Sequence, residues 1–257
     1  MTRSIAVISG KGGVGKTTLT SNLAYALTEL GEDVIAMDTN LTTPNLGLHF
    51  GMHLLPHTLH DVLRGKTRLR EAIYPHPFGF KFIPASISVK DLTGVDPADL
   101  SKVTFNLVGK ADYILMDCAA GLGREALSAI DAADEVILIT NPDMPSLVDV
   151  MKVAGMAGQM GKHILGVVVN RRKGKKHEVS NRRIREILGL PIIAAIPEDT
   201  LVGESIAARQ PILEYAPDSE AAMEIRRLAH NLTGREFQYK RAMTSWLRER
   251  LFGWVTR

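Results

Sequence analysis

Ser9-Gly10-Lys11-Gly12-Gly13-Val14-Gly15-Lys16-Thr17-Thr18 follows the apolar run Ile5-Ala6-Val7-Ile8 and precedes a helix-like stretch from Leu19 to Leu30. The order is strand, loop, helix. Gly10, Gly15, Lys16 and Thr17 fill the fixed positions of G-x-x-x-x-G-K-[ST]. In that pattern successive backbone N–H groups at a helix N-terminus surround phosphate oxygens, and the glycines let the backbone come close. Gly12, Gly13, Val14 and Thr18 complete the loop as candidate phosphate contacts. Lys16 is expected to reach the β- and γ-phosphates, and Thr17 to hold Mg2+.

Working outward, short apolar runs recur between helical patterns: Val34 to Met37, Phe80 to Ile83, Tyr113 to Met116, Val136 to Ile139, Ile164 to Val169 and Ile192 to Ile196. They are continuous rather than alternating, which indicates strands buried on both faces. Strands alternating with helices predict an α/β fold with a doubly wound, mainly parallel sheet of seven or eight strands. In such sheets the ligand sits beyond the carboxyl ends of the strands, so polar residues just after each run are the functional candidates. Short helices are expected over 58–64 and 68–73, another starting near Pro145-Ser146, and one from Asp218 to Leu232 that stops at Gly234.

With 257 residues, 45% apolar and 23% charged, the chain suits one sizeable α/β domain, 1–234, and a tail, 235–257. A net charge of +3 does not by itself imply nucleic acid. Cys118 is the single cysteine, which excludes an intramolecular disulfide framework and fits a reducing cytosol. No apolar run is long enough to span a bilayer, and Met1-Thr2-Arg3 enters a strand at once, so a cytoplasmic protein is expected. His49, His53, His57, His60 and His76 lack the H-E-x-x-H spacing of a helical metal site and read as solvated loop histidines.

Lys11, directly after the first glycine, gives the loop a second lysine. This resembles the deviant Walker A family of P-loop ATPases, which includes MinD, ParA and the nitrogenase iron protein. The resemblance implies that Lys11 crosses to the partner subunit's phosphates, with two ATP molecules sandwiched in a homodimer. A cation supplied in trans would stabilise charge on the transferring phosphoryl group.

Asp38 and the stretch to Leu48 resemble the first switch loop of MinD, where D-x-D holds magnesium-bound water and the attacking water. Asp38 matches the first carboxylate. Asn40 stands where the second is expected; an amide can position water but lacks the charge to activate it, so hydrolysis is expected to be slow or to wait on a partner. Asp117 matches the carboxylate of the second switch, D-x-P-A-G, and Gly121 its γ-phosphate sensor, with Ala119 in place of the proline. Lys11, Lys16, Asp38, Asn40 and Asp117 are thus the expected catalytic set, and Thr17, Asp38 and Asp117 the expected Mg2+ set. An iron–sulfur reading fails on cysteine count, because those relatives need at least two per chain.

Further resemblances implicate Asp149 in partner contact, Asn170 and Arg171 at a V-N-R strand end, and Pro197, Glu198 and Asp199 in an I-P-E-D loop, both around the adenine. Arg171-Arg172-Lys173-Gly174-Lys175-Lys176-His177 and Asn181-Arg182-Arg183 form a basic cluster that could contact DNA phosphates, as in an alternative, ParA-like partition ATPase, or equally be a solvated loop or an anionic-membrane contact.

In the tail, Met243, Trp246, Leu247, Leu251, Trp254 and Val255 share one face at 100° per residue. Lys240, Arg241, Arg248, Arg250 and Arg257 could contact anionic headgroups. The tail is similar to MinD's C-terminal membrane-targeting helix, though longer; a helix docked on its own domain is the alternative. The combined expectation is a MinD-like ATPase that dimerises on ATP, binds an anionic membrane surface reversibly at the inner face of the cell membrane, and positions division or other machinery with an unknown protein effector.

Overall fold

The computed structural model describes residues 1–237, so Met243, Trp246, Leu247, Leu251, Trp254 and Val255 lie outside the described residues. The strands are β1 (Arg3–Ile8), β2 (Val34–Asp38), β3 (Tyr74–Pro75), β4 (Lys81–Ile83), β5 (Tyr113–Asp117), β6 (Glu135–Thr140), β7 (His163–Arg172) and β8 (Ile192–Pro197). The helices are α1 (Lys16–Glu29), α2 (Leu46–His49), α3 (Leu59–Leu63), α4 (Leu100–Leu107), α5 (Arg124–Ala132), α6 (Met144–Gln159), α7 (Asn181–Leu188), α8 (Thr200–Ala207), α9 (Ile212–Tyr215) and α10 (Glu220–Thr233).

The strands form one eight-stranded sheet in the order β3-β4-β2-β5-β1-β6-β7-β8, with every pairing parallel except β3 with β4. Each expected run is a strand. β3 has no counterpart in the sequence reading because two residues are too short to show a period, and its Pro75 suits the sheet edge, where no ladder N–H is needed.

Alternate residues divide between two cores. Ile5 and Val7 face a layer with Leu23, Leu27, Ile225 and Leu228, while Ala6 and Ile8 face one with Leu138, Leu147, Val150 and Ile184. Helices α1 and α10 therefore cover one face and α4, α5, α6 and α7 the other. Each fully buried Leu or Ile contributes about 1.5–3 kcal/mol relative to exposure.

Helix starts follow their caps. Asp143 accepts the N–H of Ser146 at 2.9 Å and starts α6 just before the expected Pro145. Ser219 caps α10 by accepting the N–H of Ala222 at 3.2 Å, and Gly234, at φ 68°, ends it. Thr58 and Asp61 make a capping box at α3, but the second expected short helix is only a 3-10 turn, Leu69–Ala72.

The solvated reading of the histidines fails for His60 and His76. His60 is fully buried: its Nδ1 accepts the N–H of Ser86 at 3.0 Å, so Nε2 carries the proton and donates to the carbonyl of Leu41 at 3.1 Å. His76 is buried and stacks on Phe80 with ring centroids 4.3 Å apart. His60 lies on α3 and His76 in the turn between β3 and β4, and no local pattern announced their burial.

Candidate nucleotide site

The register sets Asp38 directly beside Asp117, and Asp117 beside Val7, so the carboxyl ends of β1, β2 and β5 bring both carboxylates under the loop that follows Ile8. Gly15 caps α1 at φ 102°, which only glycine adopts without strain, so the phosphate loop leads directly into the helix N-terminus. Lys16 folds inward, its Nζ donating to Ser9 Oγ at 3.2 Å, and burial lowers its ammonium pKa against the opposing pull of Asp117. Ser9 in turn donates to the carbonyl of Lys11 at 2.6 Å, while Lys11 itself is exposed. One lysine is thus buried in the loop and the other exposed on it.

Thr17 Oγ1 donates to Asp117 Oδ2 at 2.6 Å, and the other oxygen, Oδ1, is buried with no hydrogen-bond partner. Burial lifts the Asp117 carboxyl to about 6 despite Thr17 and Lys16. Asp38, fully buried, is pushed well above the usual carboxylate range by burial and by the Asp117 charge. Three backbone N–H groups offset this: Asn40 donates to Oδ1 at 3.2 Å, and Asn45 and Leu46 to Oδ2 at 3.0 and 2.9 Å. An orphaned anionic acceptor beside a hydroxyl and a second acid fits a divalent cation, whose charge would relieve both. Asp38 meanwhile ties down the loop that follows it.

Asn40 is turned into that loop. Its Nδ2 donates to the carbonyl of Thr43 at 2.7 Å, and its Oδ1 accepts from Thr43 N and Oγ1 at 3.3 and 3.1 Å. Gly121, at φ 82°, donates its N–H to the carbonyl of Ser9 at 2.9 Å and so joins the second switch to the phosphate loop. Cys118 is fully buried and its thiol is raised to about 12, which leaves it unreactive.

Two cavities meet at Gly15, Thr18, Arg171 and Ile206. The larger, about 750 Å³, is lined by Gly12, Gly13, Gly15, Lys16, Thr17 and Thr18 together with Asn40 and the start of α5. The smaller, about 390 Å³, is walled by Asn170, Pro197, Glu198, Asp199 and the apolar Leu19, Ile196 and Ile225. A charged, roomy chamber adjoining a smaller apolar one suits a triphosphate and a base. Asn170 uses one amide N–H on the carbonyl of Val14 at 2.7 Å, so only its other N–H and its carbonyl oxygen remain for a ligand. Arg171 stands at φ 55° where the β7–β8 pairing shifts, and Asp199 caps α8 through the N–H of Leu201 at 2.9 Å.

A family model described as the CobQ/CobB/MinD/ParA nucleotide binding domain matches residues 5–212. The chain belongs to the MinD/ParA family. An uncharacterised ATP-binding protein of Methanocaldococcus jannaschii is 37% identical over 238 residues, covering 93% of this chain and 90% of its own. The septum site-determining protein MinD of Pyrococcus horikoshii, solved with Mg-ADP, superposes with a TM-score of 0.88 at 39% identity, over 90% of this chain and 96% of that one. The MinC:MinD cell division complex of Aquifex aeolicus contains a chain that superposes with a TM-score of 0.83 at 30% identity, over 93% of this chain and 99% of that one.

Within this MinD/ParA chain, Asp149 lies against the phosphate loop rather than away from it. A Cβ on Gly10 would stand 2.2 Å from the Asp149 carbonyl carbon. Part of the basic cluster is paired with glutamates: Arg172 with Glu178 at 3.4 Å, Lys173 with Glu198 at 2.7 Å, and Arg182 and Arg183 with Glu186 at 3.0 and 3.2 Å. Paired cations offer DNA phosphates less than the bare sequence suggested. Ser9 and Glu125 were not singled out by sequence. Ser9 sits inside the phosphate loop, whereas Glu125 meets Thr42 only through the fold.

Proposed function

We propose that this chain is an ATP- and Mg2+-dependent molecular switch of the MinD kind, which dimerises on ATP and binds an anionic membrane surface through its tail. The observation that carries the reading is the divided pair of lysines. Lys16 is folded over Ser9, where it would neutralise β/γ-phosphate charge, and Lys11 is exposed at the loop's surface, where it can reach a second copy's nucleotide. Thr17 and Asp117, with Asp38 behind them, would hold Mg2+, which supplies charge neutralisation across the phosphates. Asn170, Arg171 and the Pro197-Glu198-Asp199 loop would receive the base.

The root of the tail supports coupling through dimerisation rather than through contact. Arg3 Nη1 and Tyr113 Oη donate to the carbonyl of Leu232 at 2.5 and 3.2 Å, at the amino ends of β1 and β5. The nucleotide cavity lies at the carboxyl ends of those strands. ATP would therefore act on the tail by bringing two copies together, since two linked weak amphipathic segments gain through effective concentration. Among the described residues no helix is long and apolar enough to cross a membrane. The Aquifex complex with MinC supports a protein effector for this chain as well, and Asn40 supports slow or partner-stimulated hydrolysis. Such a switch would cycle between cytoplasm and membrane and position division or other machinery.

Co-sedimentation with anionic liposomes, with and without ATP and Mg2+, tests the reading on the full chain and on one lacking residues 238–257. Binding should require both ATP and the tail, while nucleotide affinity stays unchanged by the deletion. Membrane binding that survives deletion, or ATP-dependent sedimentation with DNA instead of liposomes, would refute it.

A further inference from the structure

Position 40 leaves the larger cavity without the carboxylate expected at its first switch, and the Asn40 amide is already committed at both ends to Thr43. Glu125, in the first turn of α5, fills that lack. Among the described residues lining the cavity it is the only carboxylate, and the same lining includes Lys16, Thr17 and Asn40. Asp38 and Asp117 do not compete, since both are buried beneath the loops and do not line the cavity.

Glu125 is also held in place. Its Oε2 accepts the N–H of Thr42 at 3.2 Å, and its Oε1 accepts the Thr42 hydroxyl. Thr42 is two residues beyond Asn40, so the contact ties the carboxylate to the loop that bears the vacant role. An ionised carboxylate has about four acceptor positions, so after the two contacts from Thr42 others remain for water.

We propose that Glu125 is the general base of this chain, an inference that rests on the ATPase reading above. The water oxygen forms a bond to the γ-phosphorus as the bond from that phosphorus to the β,γ-bridging oxygen breaks. The bridging oxygen keeps the electron pair and leaves on ADP. The water proton passes to a Glu125 oxygen and then to solvent. Asn40 does not accept that proton; it shapes the turn that presents Thr42 to Glu125.

The test is single-turnover ATP hydrolysis by the full chain with Mg2+ and anionic liposomes, beside a titration of ATP affinity. Glu125→Gln keeps the side chain's size and can still bond to Thr42, so a merely structural role would survive it. Its turnover should fall about 100-fold, the scale of a positioned base, with ATP affinity within about threefold of the parent. Adding Asn40→Asp to Glu125→Gln should restore turnover by about tenfold or more, because a carboxylate returns to the same cavity. A Glu125→Gln chain that hydrolyses ATP within about threefold of the parent overturns the inference alone, as does a double variant with no recovery. A parent that binds ATP but never turns it over overturns the ATPase reading along with it. Loss of turnover in His49→Gln, with Glu125→Gln active, would move the base to that neighbouring ring.

Discussion

Asn170 and Val14 are joined by a side-chain bond: the amide of Asn170, at the end of β7, donates to the Val14 carbonyl in the phosphate loop at 2.7 Å. The same amide nitrogen stands 2.3 Å from where a Cβ on Gly15 would be, so the loop, the glycine and the asparagine are fitted to one another. Asn170→Asp replaces the donor with an acceptor facing a carbonyl. It should weaken ATP binding by about 10- to 100-fold, from the repulsion and the lost bond, and more than Asn170→Ala does. Fluorescent-nucleotide titration measures both variants, and equal affinities would mean that the contact does not shape the loop.

Lys16 and Lys11 should fail differently. Lys16→Ala removes the buried cation over Ser9 and should abolish productive ATP binding. Lys11→Ala should leave the monomer's ATP affinity intact, remove the ATP-dependent dimer, and lower turnover by about 1,000-fold or more, the scale of a cation supplied in trans. Light scattering with and without ATP separates the two; a normal dimer in Lys11→Ala would end the trans role.

Burial holds the His60 imidazole below its usual pKa of 6.5. Its Nδ1 accepts from Ser86, so protonation there would set donor against donor. The unfolded chain binds the proton more readily than the folded one; the stability carried by neutral His60 is complete above pH 6.5 and falls as the pH drops below it. His60→Gln cannot titrate, and at pH 7.5 it should cost about 1–3 kcal/mol through an imperfectly satisfied buried pair. Urea unfolding of both chains between about pH 5 and 8 should show that deficit narrowing on the acid side, where the ring protonates. A deficit that is constant with pH would show that the His60 proton is not linked to folding.

Gly10 is fitted to Asp149. A Cβ at position 10 would meet the Asp149 backbone carbon at 2.2 Å and its oxygen at 2.4 Å, and neither belongs to a flexible side-chain end. Gly10→Ala should push α6 off the phosphate loop, cost about 1–3 kcal/mol of stability, and weaken ATP binding. Thermal unfolding with and without ATP checks this, and an unchanged melting temperature would count against the close packing.

The fold class and the phosphate loop were legible in the chain itself because both are local. The loop lies within the contiguous stretch from Ser9 to Thr18, and each buried strand is a continuous apolar run, so backbone chemistry and burial act on neighbours in sequence. The stop at Gly234 is equally local, since it needs only the left-handed φ that glycine takes freely. Tertiary structure alone decided which distant residues meet. Thr17 and Asp117 are 100 residues apart and Thr42 and Glu125 are 83 apart, and they touch only because the sheet order brings their strand ends together. It also buried His60 and His76, which read as solvated, and paired Arg172, Lys173, Arg182 and Arg183 of the basic cluster with glutamates. No periodicity records such outcomes, because desolvation and ion pairing depend on what packs above a side chain and not on what adjoins it along the chain.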